Sequence, residues 1–171
     1  MAYLIDTDIF IAAKNLHYGM EFCPAFWDLL IQANNTQRLI SIAAVCNDLT
    51  DGKDELAEWA KERSDGFFVS PSEMDLHALG NISQWVNDHQ AYTTAAKQVF
   101  LGCSDYFVVS QALSGGHTIV THEKHENSVA RIKIPNVCAA LDVKYITPWQ
   151  MLRAERATFV LDQIKAQSAA L

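Results

Sequence analysis

The stretch Leu4-Ile5-Asp6-Thr7-Asp8-Ile9-Phe10 sets two carboxylates, one residue apart, between two apolar pairs. Three more acids stand in comparable settings. Asp48 lies in ISIAAVCNDL, Asp105 follows Ser104 at the head of the apolar run DYFVV, and Glu123 comes two residues after HTIVT. Brought together, such groups offer hard oxygen donors of the kind that hold Mg²⁺ or Mn²⁺, usually with water and a substrate phosphate completing the shell. A cation so held activates water and offsets charge developing on a phosphodiester. Without one, clustered carboxylates repel, and at least one of them titrates abnormally.

Each acid also has a plainer explanation. Asp105 and Asp8 both fall where a helix would begin, and a carboxylate in a first helical turn is favoured by the dipole, typically by ~0.3–1 kcal/mol. That role is the one expected of Asp8. Glu123 could be a solvated loop acid within His122-Glu123-Lys124-His125-Glu126. Asp48 sits near the expected end of a helix, where the dipole is unfavourable, and Asp6 is flanked by Leu4, Ile5 and Ile9. These two are the hardest to assign to solubility alone.

Asp8 apart, the four acids Asp6, Asp48, Asp105 and Glu123 need elements that carry them to one place. AYLID reads as a short buried strand ending at Asp6, followed by a helix with Thr7 as its cap. CPAFWDLLIQANN opens a helix with Pro24 in its first turn. RLISIAAV is a strand running into the helix of Asp48, DELAEWAKERS an amphipathic helix, and GFFVS a second buried strand. Beyond Pro71 a long helix runs through Trp85, then TAAKQVFLG and SDYFVVSQALSGG, the last closed by a glycine pair suited to a C-cap. HTIVT is a buried strand, and RIKIP, VCAAL and VKYIT read as strand, helix and strand. From Pro148 a final helix is expected, with Ala157, Val160, Leu161 and Ile164 on one face. Alternation of this kind predicts an α/β domain, a three-layer α/β/α arrangement with a mainly parallel central sheet. Ligands of such sheets lie beyond the carboxyl ends of the strands, which is where Asp6 and Glu123 fall.

Composition narrows the function classes. Half of the 171 residues are apolar, enough for one sizeable core. The sequence has no apolar run of bilayer length and no basic-then-apolar leader, so a cytoplasmic protein is expected. Cys23, Cys46, Cys103 and Cys138 form no C-x-x-C pair, consistent with reduced, buried thiols rather than zinc ligands. The net charge of −7 does not suit a protein that binds nucleic acid through phosphate contacts alone. Its distribution is uneven, however. Residues 1–120 hold 6 Lys/Arg against 15 Asp/Glu, and residues 121–171 hold 7 against 5. Lys124, Arg131, Lys133, Lys144, Arg153 and Arg156 are therefore the local cations available to a polyanion.

Other chemistry finds little purchase. His122 and His125 lack the spacing of an H-E-x-x-H zinc helix, and exposure to solvent explains the segment. There is no G-x-S-x-G elbow. SGGHT is too short for a phosphate loop. Trp27, Trp59, Trp85 and Trp149 are expected in the core or at its margin.

YLIDTDIFI, ISIAAVCNDL, CSDYFVVSQAL and TIVTHEK, in that order, resemble a PIN domain, the metal-dependent nuclease fold of many bacterial toxin–antitoxin pairs. NLHYGMEFCPAFWDLL, DELAEWA and KIPNVCAAL are similar to an uncharacterised PIN-like branch. The resemblance spans about residues 1–153, leaving 154–171 as a C-terminal helical extension. It implies catalytic roles for Asp6, Asp48, Asp105 and Glu123, with Asp6, Asp105 and Glu123 as metal ligands for Mg²⁺ or Mn²⁺. Thr121 matches a hydroxyl residue that stands just before the last acid. Asp48 stands where the family more often has glutamate. An endoribonuclease follows as the expected activity, with an RNA substrate, a cognate antitoxin as partner, and homodimer formation as a family habit. Two alternatives remain open on the residues alone: a noncatalytic interaction module whose acids meet a basic partner segment, and a metal-dependent DNA nuclease or phosphatase on the same scaffold.

Overall fold

The computed structural model describes residues 1–160, the side chains of Ser64 and Asp65 excepted. Its centre is β1 (Tyr3–Ile5), with both neighbours parallel to it: β2 (Leu39–Ile42) on one side and β4 (Thr118–Val120) on the other. Beyond them lie β3 (Phe68–Val69) and β5 (Tyr145–Ile146), completing a five-stranded parallel sheet in the order β3-β2-β1-β4-β5. The strands are two to four residues long. Leu4, Ile5, Leu39, Ile42, Ile119 and Val120 are buried, as residues of a parallel sheet covered on both faces must be.

The chain order dictates where the helices go. Between β1 and β2 come α1 (Thr7–Ala12), a π-helical turn (Ala13–His17) and α2 (Pro24–Asn35). Between β2 and β3 come α3 (Ala43–Thr50), α4 (Glu55–Lys61) and α5 (Ser64–Phe67). The chain then crosses to the far side of β1 through α6 (Glu73–Asp88), α7 (Thr94–Leu101) and α8 (Ser104–Gly115), and α9 (Ile134–Leu141) joins β4 to β5. Parallel connections are right-handed, so reversing the direction of travel across the sheet moves the helices to the opposite face. The result is the three-layer α/β/α arrangement expected, with α2 against β2, and α8 between α6 and α9. Rings fill the layer built from the first segments: Phe10 meets Trp59 at 5.7 Å between centroids, Trp59 meets Trp27 at 5.1 Å, and Tyr18 stacks on Phe26 at 4.4 Å.

Three local readings of the sequence need correction. RIKIP forms no strand. Residues 131–133 are irregular and Ile134 begins α9, with Pro135 in its first turn. The backbone N–H of Ile134 is given to Glu123 rather than to a ladder. The cap of α1 is Asp6, whose carboxylate accepts from Thr7 N, rather than Thr7. The last helix, α10 (Pro148–Ala154), stops sooner than expected, and residues 157–160 have no regular structure. Arg156 takes a positive φ of 53°, which turns the chain out of the helix. Leu161 and Ile164, and with them most of the expected extension, lie outside the described residues.

Candidate active site

The direction of the crossovers changes between β1 and β4, and ligands of open parallel sheets lie at the carboxyl ends of the strands at such a point. Asp6 lies there, only 3 % exposed. Its two oxygens are both engaged: Oδ1 accepts from Thr7 N at 2.7 Å and Oδ2 from the Thr121 hydroxyl at 2.8 Å. These bonds favour the ionised carboxylate, yet they lose to the surroundings. Burial first, and then the charges of Asp8 and Asp105, push Asp6 well above the ordinary carboxylate range.

Asp8 belongs to the same group. One of its oxygens accepts from His122 N at 3.2 Å, while Oδ1 is buried with no hydrogen-bond partner. Its carboxyl is also raised, chiefly by burial, with the neighbouring His122 acting in the opposite direction. Asp8 does sit in the first turn of α1, but the helix dipole is not its whole role. An orphaned buried acceptor costs ~1–3 kcal/mol, which asks for a donor or a cation. The sequence contained the signal: two acids at i and i+2, directly after a buried strand.

Asp105 enters from the first turn of α8. Burial, followed by the charge of Glu123, raises its carboxyl to about 6; Lys133 opposes this, and Asp8 and Asp48 add to it. Glu123 lies in the loop after β4. Its Oε1 is paired with the Lys133 ammonium, and its Oε2 accepts from Ile134 N at 2.8 Å. Its own N–H donates to the Thr121 hydroxyl at 3.1 Å. Thr121 thus links the loop acid to the strand acid. Asp48 reaches the rim from α3 and accepts from the Thr7 hydroxyl at 3.0 Å, remaining exposed to solvent. All four acids expected from the sequence are therefore gathered at one end of the sheet, joined by Asp8 and by the cation Lys133.

The grouping is open rather than closed. Among the described residues, no three His, Cys, Asp or Glu side chains stand close enough together to cage a metal ion. Two of the acids are engaged elsewhere, Glu123 with Lys133 and the start of α9, and Asp8 with the His122 backbone. The donor chemistry nevertheless fits a hard divalent cation. The donors are carboxylate oxygens, three of these acids have raised carboxyls, and one buried oxygen is unpartnered.

Flanking residues depart from expectation in two places. His125 is exposed, but His122 is half-buried, its ring 5.0 Å from Trp149 and 5.9 Å from His17. Trp27 and Trp59 are core residues and Trp85 marginal, whereas Trp149 is 42 % exposed beside the rim.

Residues 3–159 match the model of a family described as a domain of unknown function, DUF4411. The chain belongs to this DUF4411 family. No curated protein matches it in sequence. Among solved structures, it is similar to VapBC2 from Rickettsia felis bound to a DNA fragment from their promoter, with 15 % identity and a TM-score of 0.53. It is also similar to FitAcB from Neisseria gonorrhoeae, with 18 % identity and a TM-score of 0.52. Each comparison covers 86 % of this DUF4411 chain and 98 % of the other. At such identities the likeness establishes the fold, a PIN-like α/β/α domain. No helix among the described residues of the DUF4411 chain is long and apolar enough to cross a membrane.

Proposed function

We propose that this DUF4411 protein is a metal-dependent endoribonuclease, the toxin of a toxin–antitoxin pair. The observation that carries the reading is the gathering of Asp6, Asp8, Asp105 and Glu123 at the carboxyl ends of β1 and β4, with Asp6, Asp8 and Asp105 pushed toward protonation. A structural surface has no need of several acids at a sheet's ligand-binding end, three of them raised by burial and by one another's charge. The likeness to VapBC2 and FitAcB supports the same class and, with it, an antitoxin as partner.

Asp6, Asp8 and Asp105 would hold Mg²⁺ or Mn²⁺, and Glu123 would join them on leaving Lys133. When bound, the ion supplies a Lewis acid that lowers the pKa of water and offsets charge on the scissile phosphate. The chain's own residues do the rest. Thr121 fixes the Asp6 carboxylate by donating to Oδ2, and Asp6 Oδ1 is fixed by the α1 backbone. Asp48, pinned through one oxygen by the Thr7 hydroxyl, would orient a water at the rim with its other oxygen. Lys133, once free of Glu123, can donate to a phosphate oxygen as negative charge grows there.

One observation favours a second reading. Glu123 already accepts an ammonium from Lys133, so the rim is suited to a basic segment of a protein partner, and the domain could be a noncatalytic binding module. Calorimetric titration with Mn²⁺ separates the two. The wild type should bind Mn²⁺, the Asp6→Asn/Asp105→Asn variant should not, and the wild type should cleave RNA in preference to DNA or small phosphoesters. A well-folded wild type that binds no divalent ion would favour the module; cleavage of DNA or phosphomonoesters instead of RNA would reassign the substrate.

A further inference from the structure

The rim does not end at the acids. On the α7 side, Asp105 and Lys133 form one wall of a cavity of about 380 Å³ that also takes in Arg131 and an apolar floor of Ala96, Val99 and Phe100. A second cavity, of about 420 Å³, opens along the same irregular segment, lined by residues 125–129 on one side and by Trp85, His89 and Tyr92 on the other. Each is of the size that ordinarily holds a small ligand, about 300–1,000 Å³. The two are neighbours through both walls. Residues 125–129 of one run directly into 130–133 of the other and residues 91–92 into 95–96; between the two, Thr93 N donates to Val129 O at 3.0 Å and ties the walls together, so a strand running from one cavity to the other passes over this bond.

The chemistry changes along this line in an ordered way. Beside Asp105 the groove presents two cations. Lys133 is paired with Glu123, while Arg131 is exposed and makes no ion pair among the described residues. Farther on it presents three rings at short mutual distances: Trp85 to His89 at 5.0 Å, His89 to Tyr92 at 4.8 Å, and Trp85 to Tyr92 at 6.1 Å. Trp85 and Tyr92 are half-buried and His89 is exposed, so the ring cluster is in contact with solvent. Behind the rings, the buried Asn136 holds the wall together. Its amide donates to Tyr92 Oη at 3.1 Å and to Glu126 O at 2.7 Å, and its carbonyl accepts from Glu126 N at 3.2 Å.

Cations for phosphates followed by aromatic faces for bases are the two components of single-strand recognition. We infer that this groove is the track of single-stranded RNA leaving the acid rim, with a phosphate on Arg131 and Lys133 and an unstacked nucleobase against Trp85, His89 and Tyr92. The inference rests on the nuclease reading for its choice of RNA. It also answers a difficulty raised by the charge of −7: affinity comes from a local pair of cations and from stacking, which needs no net positive charge. A DNA duplex does not suit the groove, because its bases are already stacked within the helix.

The test is fluorescence anisotropy with a short labelled single-stranded RNA and the full chain carrying Asp6→Asn, which spares the groove while suppressing cleavage. Binding is expected. Adding His89→Ala or Trp85→Ala should weaken it about tenfold, as loss of one stacked base does. Arg131→Ala should weaken it several-fold and make it less sensitive to salt. Tyr92→Phe, which keeps the ring, should retain it, and a strand of the same length lacking bases should bind the parent about as weakly as the intact strand binds the ring variants. Equal affinity for the base-free strand, unchanged affinity in His89→Ala and Trp85→Ala, or no RNA binding at all would each overturn the groove. Cleavage by the wild type is scored separately. RNA cleavage with a KM unmoved by His89→Ala would leave the nuclease reading standing and sink the groove. Ring-dependent binding by a chain that never cleaves would do the reverse.

Discussion

Asp75 and Asp6 are both aspartates at helix starts, 5 % and 3 % exposed, and their carboxyls move in opposite directions. Burial pushes both up. At Asp75, however, bonds from the Ser114 hydroxyl and from the Ser72 backbone and hydroxyl outweigh it, and the carboxyl ends below the ordinary range, with the charge of His117 adding to the lowering. The bond from the Ser72 N–H is one half of the capping box of α6. At Asp6, two bonds are present, but Asp8 and Asp105 add their charge to the desolvation. The difference teaches how to read a buried acid: depth alone does not distinguish structure from chemistry, whereas the sign of what surrounds it does. One acid is completed by its neighbours, and the other awaits something positive.

The largest effect expected from this contrast is on catalysis. Asp6→Asn should lower RNA cleavage by several kcal/mol of transition-state stabilisation, on the order of 10³-fold. Because the substitution also removes a repelled charge, Tm without metal at neutral pH should hold or rise. A variant that cleaves like the wild type, or one that unfolds, would make Asp6 another Asp75.

Asp75→Ala should show the reverse pattern. Loss of the carboxylate strands the Ser72 N–H and two hydroxyls, at a cost of about 1–3 kcal/mol, read as a lower urea midpoint with unchanged slope. Mn²⁺ affinity should stay at the wild-type value. A change in metal binding would mean that the two sites communicate.

The pH dependence of stability tests the signs directly. Asp6, Asp8 and Asp105 bind protons more tightly when folded than when unfolded, so the folded chain carries the extra protons between the ordinary carboxylate range and the raised values, about 6 for Asp105. Their contribution is most favourable below that window and is lost as pH rises through it. Asp75 contributes in the opposite sense, above the ordinary range, and its share is lost as pH falls below it. Metal-free protein should therefore lose Tm between about pH 4 and 6, where Asp105→Asn should lose less, and saturating Mn²⁺ should flatten the decline. A metal-free profile that rises throughout this window would contradict the clustering.

Much of this was legible in the sequence, and the exceptions share a cause. Strands ending in acids could be read because a buried parallel strand is a short apolar run and its carboxyl end is where ligands gather; Asp6 and Glu123 followed from that, and Asp105 from its place at the head of an apolar helix. Asp48 could be placed on its helix, but its bond to Thr7 spans 41 residues and leaves no local pattern. Lys133 was visible only as one of six dispersed cations, since its pairing with Glu123 depends on how an irregular loop returns to the rim. RIKIP misled for the same reason: Ile132 and Ile134 are buried and alternate with cations as in a strand, yet they serve an irregular segment and a helix start. Periodicity records which residues are buried, not which backbone partner they find. Asp8 was readable as a helix-start acid, and only the three-dimensional arrangement exposes its unpartnered oxygen.

The smallest effect concerns Lys133, the lysine already paired with one of the acids. Its ion pair with Glu123 is partly exposed, 28 % for the lysine side chain and 14 % for the glutamate, and pairs of this kind contribute ~0–1 kcal/mol. Lys133→Met keeps the bulk of the stem and removes the charge. If Glu123 is a metal ligand held in reserve, its release should tighten Mn²⁺ binding a few-fold, while affinity for RNA falls through the lost phosphate contact. The two measurements then move in opposite directions, which simple misfolding cannot produce. Should Mn²⁺ affinity instead weaken with RNA affinity, Lys133 would be holding Glu123 in place for the metal rather than away from it. Should metal affinity not move, Glu123 would resemble Asp75 more than Asp6: an acid completed by its own chain, through Ile134 N and α9.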